Sequence, residues 1–342
     1  MTFGFPGRDY SAMAPASASS KLVVAAELYP ENDCVWIIAA DPRRPDSPVL
    51  RQLNIPGDRL DLAAELVRRC ELTLLACEML AEICARVAAE LYSLAEGAKA
   101  LVVSPHGPLH MLPLSAGCVP DCRCLAEAIP TAVMPSTSFL SVLAAAQPQI
   151  SIKGATVLKG PEMDSGKSVA TVTSALEEMF LDVHPDLPLR VVNYPRRLSR
   201  GSILLVAAHG RPAELLLADK EGRPTWVTAG QLAEKLGRPA FVLLAVCRSA
   251  TSEVADDEEP LGIVWPLLAN GARAVISSLW DVESKAAAAF ARRSVGWMLQ
   301  GDPVGKAFGR ALGGQFNDCR ITDYRDRAGF VLNGDWRLRL TR

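Results

Sequence analysis

With 342 residues, 49% of them hydrophobic and 22% charged, the chain is long enough for one large or two ordinary globular domains with ample core. A net charge of -2 gives no electrostatic reason to expect DNA, RNA or an anionic membrane as a partner, although Arg196, Arg197 and Arg200 form a local basic cluster. No apolar run approaches the roughly 20 residues that cross a bilayer, and nine scattered cysteines behind a start that lacks a leader pattern read as a reduced, cytoplasmic protein.

Residues 1–20, rich in Ser, Ala, Gly and Pro, read as a flexible tail. Residues 21–30 (KLVVAAELYP) and 33–42 (DCVWIIAADP) form two strands of a hairpin turning at Glu31, Asn32 and Asp33. After a Pro-rich loop, Asp58 or Asp61 caps one long helix that reaches Glu96 and stops at Gly97. Cys70, Cys77 and Cys84 recur on it every seventh residue, which puts them on one stripe. The stripe reads as core packing rather than a metal or redox relay, because no histidine or carboxylate stands among them in ligand spacing.

From Ala98 onward, apolar strands alternate with helices: residues 99–105, 131–136, 155–160, 189–195, 202–210, 241–247 and 272–280 are the strands. Helices are expected from Ser138, over Val172 to Phe180, Ala229 to Leu236 and Leu261 to Asn270, then Glu283 to Leu299 and Pro303 to Phe316. This alternation predicts an α/β fold, a mostly parallel sheet with helices on both faces, preceded by the small hairpin and long helix. Residues 330–340 (FVLNGDWRLRL) close the chain as an edge strand. The expected division is a tail over 1–20, a hairpin-plus-helix unit over 21–96 packing on the main body, and a main domain over 97–342.

Several motifs carry less than they promise. The segment 159–168 (KGPEMDSGKS) resembles a phosphate-binding loop, but Gly160 and Gly166 enclose five residues instead of four, and Pro161 has no N–H to offer phosphate. His106 and His110 precede Cys118, Cys122 and Cys124 without the spacing of a tight zinc knuckle, and the leucines between them favour a packed extended segment. His184, beside Pro185, reads as a solvated loop histidine. No Gly-x-Ser-x-Gly elbow is present. No metal and no cofactor is expected.

The pair that points to chemistry is His209 and Cys247. Each ends a short, almost wholly apolar run, SILLVAAHG and FVLLAVC, and in open α/β sheets reactive groups gather at the carboxyl ends of neighbouring strands. Gly210 directly after His209 permits close backbone approach to a ligand and leaves an N–H free to donate. Small and polar residues follow Cys247 and Arg248, as expected where a strand opens onto a site.

The order of these strings resembles the CHAT family of caspase-like cysteine peptidases, whose members often stand beside tetratricopeptide repeats. The resemblance runs through residues 99–117 (KALVVSPHGPLHMLPLSAG), 132–143, 204–212, 241–250, 262–282 and 328–336, and so covers roughly residues 95 to 342. Two departures stand out: Leu205 to Ala208 lack the polar residue that often precedes the His-Gly pair, and Arg327 stands where the family usually has tryptophan.

The resemblance implies a cysteine endopeptidase with Cys247 as nucleophile, His209 as proton donor to the leaving amine, and the N–H groups of Gly210 and Cys247 as the oxyanion hole. It further implies that the strand after the nucleophile walls the substrate pocket, with Trp280 as a wall and Asp281 as a charge. With Asp256 and Asp257 in an acidic loop, these favour a basic residue before the scissile bond; the alternative is that residues 256–259 are a solvated loop and Asp281 caps the helix that starts near Glu283. The expected partners are a protein substrate and an activating or repeat-containing protein. The alternative is a non-enzymatic or latent interaction module in a signalling or defence complex, bacterial in type.

Overall fold

The computed structural model describes residues 23–41, 47–137, 139–163, 168–250, 262–314 and 324–341. The expected tail over 1–20 and the acidic loop with Asp256 and Asp257 lie outside the described residues.

The N-terminal region forms β1 (Val23–Glu31), β2 (Cys34–Ala40) and β3 (Val49–Leu53), an antiparallel meander. The sequence predicts only the hairpin of β1 and β2; β3 follows as a third strand because an exposed strand of mixed character carries no clean alternation to mark it. β1 then pairs in parallel with β4 (Ala100–Pro105), so these strands extend the main sheet.

The single long helix of the sequence reading is two helices, α1 (Gly57–Arg69) and α2 (Leu74–Leu94). Cys70 takes φ 59, in the left-handed region, and the Glu71 N–H returns to the Leu66 carbonyl at 2.9 Å. This closes α1 in the manner usual for glycine. Thr73 starts α2 anew, its hydroxyl accepting the Ala76 N–H at 3.2 Å. Cys70 is therefore off the stripe that Cys77 and Cys84 share.

Beyond β4 the elements are α3 (Leu125–Ala128), β5 (Thr131–Val133), α4 (Phe139–Ala144), β6 (Gln149–Ser151), β7 (Gly154–Lys159), α5 (Ser168–Val183), β8 (Leu189–Val192) and β9 (Ser202–Ala208). A small antiparallel sheet follows, made of β10 (Gly210–Arg211), β11 (Glu214–Ala218) and β12 (Pro224–Thr228). Next come α6 (Ala229–Leu236), β13 (Phe241–Val246), α7 (Val264–Ala269), β14 (Ala274–Ser278), α8 (Ser284–Leu299), α9 (Val304–Gly313), α10 (Tyr324–Arg327), β15 (Phe330–Gly334) and β16 (Arg339–Thr341).

Among the described residues the main sheet has 11 strands in the order β3-β2-β1-β4-β5-β15-β14-β13-β9-β7-β8. It is mixed α/β and mostly parallel, as the strand–helix alternation predicts. The closing strand is a correction. β15 is no edge but sits buried in the middle, antiparallel to β14 and parallel to β5. Alternation within the strands divides the core into two clusters. Ile203, Leu205 and Ala207 join α1, α2, α5, α8 and α9 on one face, while Leu204, Val206 and Ala208 join α6, α7 and the small sheet on the other.

Candidate active site

β9 and β13 are neighbours in parallel register, with Ala208 opposite Val246. The next residues are His209 and Cys247, and alternation turns both toward the face covered by α5 and α8. Both line one crevice together with Val169 of α5, Val282 and Phe330. Phe330 stacks on Phe290 of α8 at 3.9 Å between ring centroids, which gives the crevice a rigid aromatic wall. Both dyad candidates are half-buried.

Local geometry ends the two strands here. After His209 the chain leaves the main sheet for β10, and the His209 carbonyl accepts the Leu216 N–H of β11 at 2.9 Å. Gly210 presses against the neighbouring strand: a Cβ there would stand 2.4 Å from the Cys247 carbonyl oxygen. After Cys247, Arg248 adopts φ 58, its N–H donates to the Trp280 carbonyl at 3.4 Å, and its guanidinium donates to the Arg68 carbonyl at the end of α1. Ser249, fully buried, accepts the Ser278 N–H on its hydroxyl at 2.9 Å, while the Ser278 hydroxyl donates to the Val246 carbonyl at 2.6 Å. The Ala250 N–H also donates to the Ser278 carbonyl at 2.7 Å, so the segment that follows the thiol is tied at three points, through Arg248, Ser249 and Ala250, to the end of β14 and Trp280.

The imidazole is also held. His209 Nε2 accepts the Met163 N–H at 3.3 Å, which assigns its proton to Nδ1 in this state. Met163 is placed by its neighbour Glu162, whose carboxylate accepts the N–H groups of Val169 and Ala170 in the first turn of α5. Burial first, and then the Asp281 carboxylate, push the Cys247 thiol up to about 11. The Val282 N–H opposes them, and the nearby Cys70 thiol contributes a smaller increase.

Trp280 does not line the crevice. It is fully buried, packed against Gly329, and its indole N–H donates to the Arg325 carbonyl at 2.6 Å. The Asp281 carboxylate acts on the Cys247 thiol, and Asp256 and Asp257 are outside the described residues. The sequence reading missed Cys70, Met163 and Val282. Nothing in the residue types announces them, since one acts by a helix break without Gly or Pro and two act through backbone N–H groups.

The other histidines serve packing. His184 is buried, not solvated: its Nε2 lies 3.2 Å from the Leu299 carbonyl oxygen and its ring meets Phe180 edge-on. His106 stacks on Tyr29 at 4.2 Å. Burial and the neighbouring His106 push His110 down to about 4, so it is neutral near pH 7. Among the described residues no three His, Cys, Asp or Glu side chains converge as metal ligands.

The model of the CHAT domain matches residues 74–335, which contain the crevice and most of the chain. The chain belongs to the CHAT domain family. Two structures of the Saccharomyces cerevisiae separase–securin complex share the fold of this CHAT protein, at TM-scores of 0.66 and 0.63 with 10% and 11% identity. Each match covers 95% of this chain and 30% of the other, so the chain spans less than a third of the separase chains it resembles. A structure of the Arg-specific cysteine proteinase gingipain R also matches, with a TM-score of 0.49 and 10% identity over 83% of this chain and 75% of that one. No curated protein sequence matches. The chain thus shares the fold of the separase chains over nearly its whole length.

Proposed function

We propose that the CHAT protein is a cysteine endopeptidase working through Cys247 and His209. The observation that carries this reading is the shared crevice: one thiol and one imidazole at the carboxyl ends of adjacent parallel strands, on the same face of the sheet. The Cys247 thiolate attacks the substrate carbonyl carbon, and the N–H groups of Gly210 and Cys247 receive the oxyanion. His209, protonated by the departing thiol proton, passes it to the leaving amine. A thioester remains, and water activated by the same imidazole releases the acid and restores the thiol.

Asp281, whose carboxylate acts on the Cys247 thiol, supports a basic side chain before the scissile bond, and the acidic residues Asp256 and Asp257 in the sequence after Cys247 favour the same preference. We assign residues 97–342 to the peptidase unit and residues 21–96 to a unit that extends its sheet and packs α1 against Arg248. Among the described residues no helix is long and apolar enough to cross a membrane. The protein works without a cofactor, in the cytoplasm, on a protein substrate.

A second reading, a latent interaction module of a signalling or defence complex, draws on the resting state of the pair. The thiol is pushed far above neutrality, and Nε2 of His209 already accepts a backbone N–H. The two readings meet in a regulated peptidase that a protein partner switches on; separase, a structural neighbour, was itself solved with securin. Incubating wild type, Cys247→Ala and His209→Ala with a proteome-derived peptide library, with candidate partners added, separates them. The peptidase reading expects cuts after Arg or Lys by wild type, none with Cys247→Ala, and a loss of about 10²-fold or more with His209→Ala. Equal cleavage by Cys247→Ala would end it, and equal or faster cutting after Asp or Leu would discard the basic preference.

A further inference from the structure

Cys118, Cys122 and Cys124 stand close together in the segment between β4 and α3, and none of them lines the crevice. Cys118 and Cys124 face each other as the two partners of an isolated antiparallel bridge. The Val119 N–H donates to the Arg123 carbonyl and the Leu125 N–H to the Gly117 carbonyl, each at 2.9 Å, so these bonds flank the cysteine pair instead of joining it. In an antiparallel pair of this non-hydrogen-bonded kind the Cα atoms lie about 4.5 Å apart and both side chains leave the same face. A disulfide spans Cα separations of roughly 4.4 to 6.8 Å and requires Cβ atoms that do not point apart. Both conditions concern the backbone and Cβ positions, which the bridge fixes.

The surroundings hold that geometry. Cys122, exposed at φ 65, donates its N–H to the Val119 carbonyl at 2.9 Å and closes the turn between the bridged residues. The Asp121 carboxylate accepts the Arg123 N–H at 3.2 Å and its Nε–H at 2.8 Å. Gly117 packs on the Cys84 carbonyl of α2, and Gly309 of α9 packs on the Ala126 carbonyl of α3, both too closely for a Cβ. The segments that carry the two sulfurs are thus pinned on either side of the pair. Cys118 is half-buried and Cys124 fully buried, and burial pushes the Cys124 thiol up to about 12.

We propose that Cys118 and Cys124 are a modification site, closed into a reversible disulfide by small-molecule disulfides of the oxidised-glutathione type. The more exposed Cys118 reacts first: its thiolate attacks one sulfur of the oxidant, forming a mixed disulfide and expelling one glutathione thiolate. The Cys124 thiol gives its proton to solvent and attacks the Cys118 sulfur, expelling the second glutathione thiolate. Two protein thiols become one disulfide, and the two electrons leave on two molecules of reduced glutathione. The bond staples the start of α3 to the segment before the turn, so it constrains the unfolded chain and stabilises the fold. By the same linkage the fold favours the bond. Neither step involves Cys247, so the proposal is independent of the peptidase reading.

The test is a disulfide map of the full chain equilibrated in buffers of oxidised and reduced glutathione, folded and in urea, with remaining thiols then blocked by iodoacetamide at once. Trypsin cuts after Arg123 and an Asp-directed protease before Asp121, which puts Cys118, Cys122 and Cys124 on the separate peptides 100–120, 121–123 and 124–153. The expected result is a linked pair of peptides 100–120 and 124–153 that reduction separates. The ratio of bridged to reduced chain is expected to be about tenfold or more higher folded than in urea, and the oxidised chain to unfold at a higher denaturant concentration. Cys122→Ser keeps the link and Cys118→Ser loses it.

Links through peptide 121–123, mixed disulfides with glutathione that never resolve internally, or a bridged fraction no greater folded than in urea would each overturn the proposal. The wild-type map decides this without any substitution, so a variant that fails to fold leaves the test intact.

Discussion

At position 210 the chain has no room for a side chain, because a Cβ would meet Val246 Cγ1 at 2.3 Å and the Cys247 carbonyl oxygen at 2.4 Å. The second contact is backbone, which cannot rotate away. The glycine after the histidine is thus a packing requirement that lets the imidazole-bearing strand lie against the thiol-bearing one. Gly210→Ala is expected to cost about 1–3 kcal/mol, the usual range for overpacking, read as a lower denaturant midpoint, and to push the two reactive side chains apart. A variant as stable as wild type would show that the strands separate freely here. At this scale the sequence exposed His209 and Cys247, because apolar runs ending in a reactive residue are visible as strings. It did not expose the influence of Asp281 on the Cys247 thiol, which depends on how β14 is placed against β13, nor the core position of Trp280.

Among the elements, the break between α1 and α2 matters most to the site. The apolar spacing continues across Cys70 to Thr73, so periodicity alone predicts one helix. Tertiary packing instead closes α1 at a left-handed Cys70 and turns its end toward Arg248, where the Arg68 carbonyl receives the guanidinium. Thr73, a residue type suited to starting a helix, was the local signal available. Thr73→Ala is expected to cost about 1 kcal/mol through loss of this cap, measured as a shift in the unfolding midpoint, and no change would mean that tertiary packing alone sets the start of α2.

The strands were legible where alternation or unbroken apolar character was strong. β15 was found as a strand but misplaced, since nothing in FVLNG tells a central strand from an edge. Its burial follows from insertion between β14 and β5, a pairing of segments far apart in sequence.

Across the whole molecule, β15 marks a reversal. β7, β8, β9, β13 and β14 run one way, while β1, β4, β5 and β15 run the other. The carboxyl ends of β9 and β13 thus open on the sheet edge opposite to those of β1 and β4, so the packed His106 and His110 lie away from the crevice. The buried Asp335, just after β15, pairs with Arg273 and Arg337 and ties the end of the chain to the start of β14. Removing one member of such a buried set is costly, so this junction is a structural anchor for β14, the strand beside β13.

The order of elements was readable from β–α alternation; the reversal was not, because strand direction is set by pairings that leave no local mark. The central claim, that one crevice joins the Cys247 thiol to the His209 imidazole as a working pair, is tested most directly by a peptidyl acyloxymethyl ketone with Arg or Lys next to the warhead. Peptide mass mapping of the labelled chain is predicted to find a single thioether on Cys247, absent from Cys247→Ala and strongly reduced in His209→Ala. Labelling spread over the other cysteines, or undiminished in His209→Ala, would contradict it.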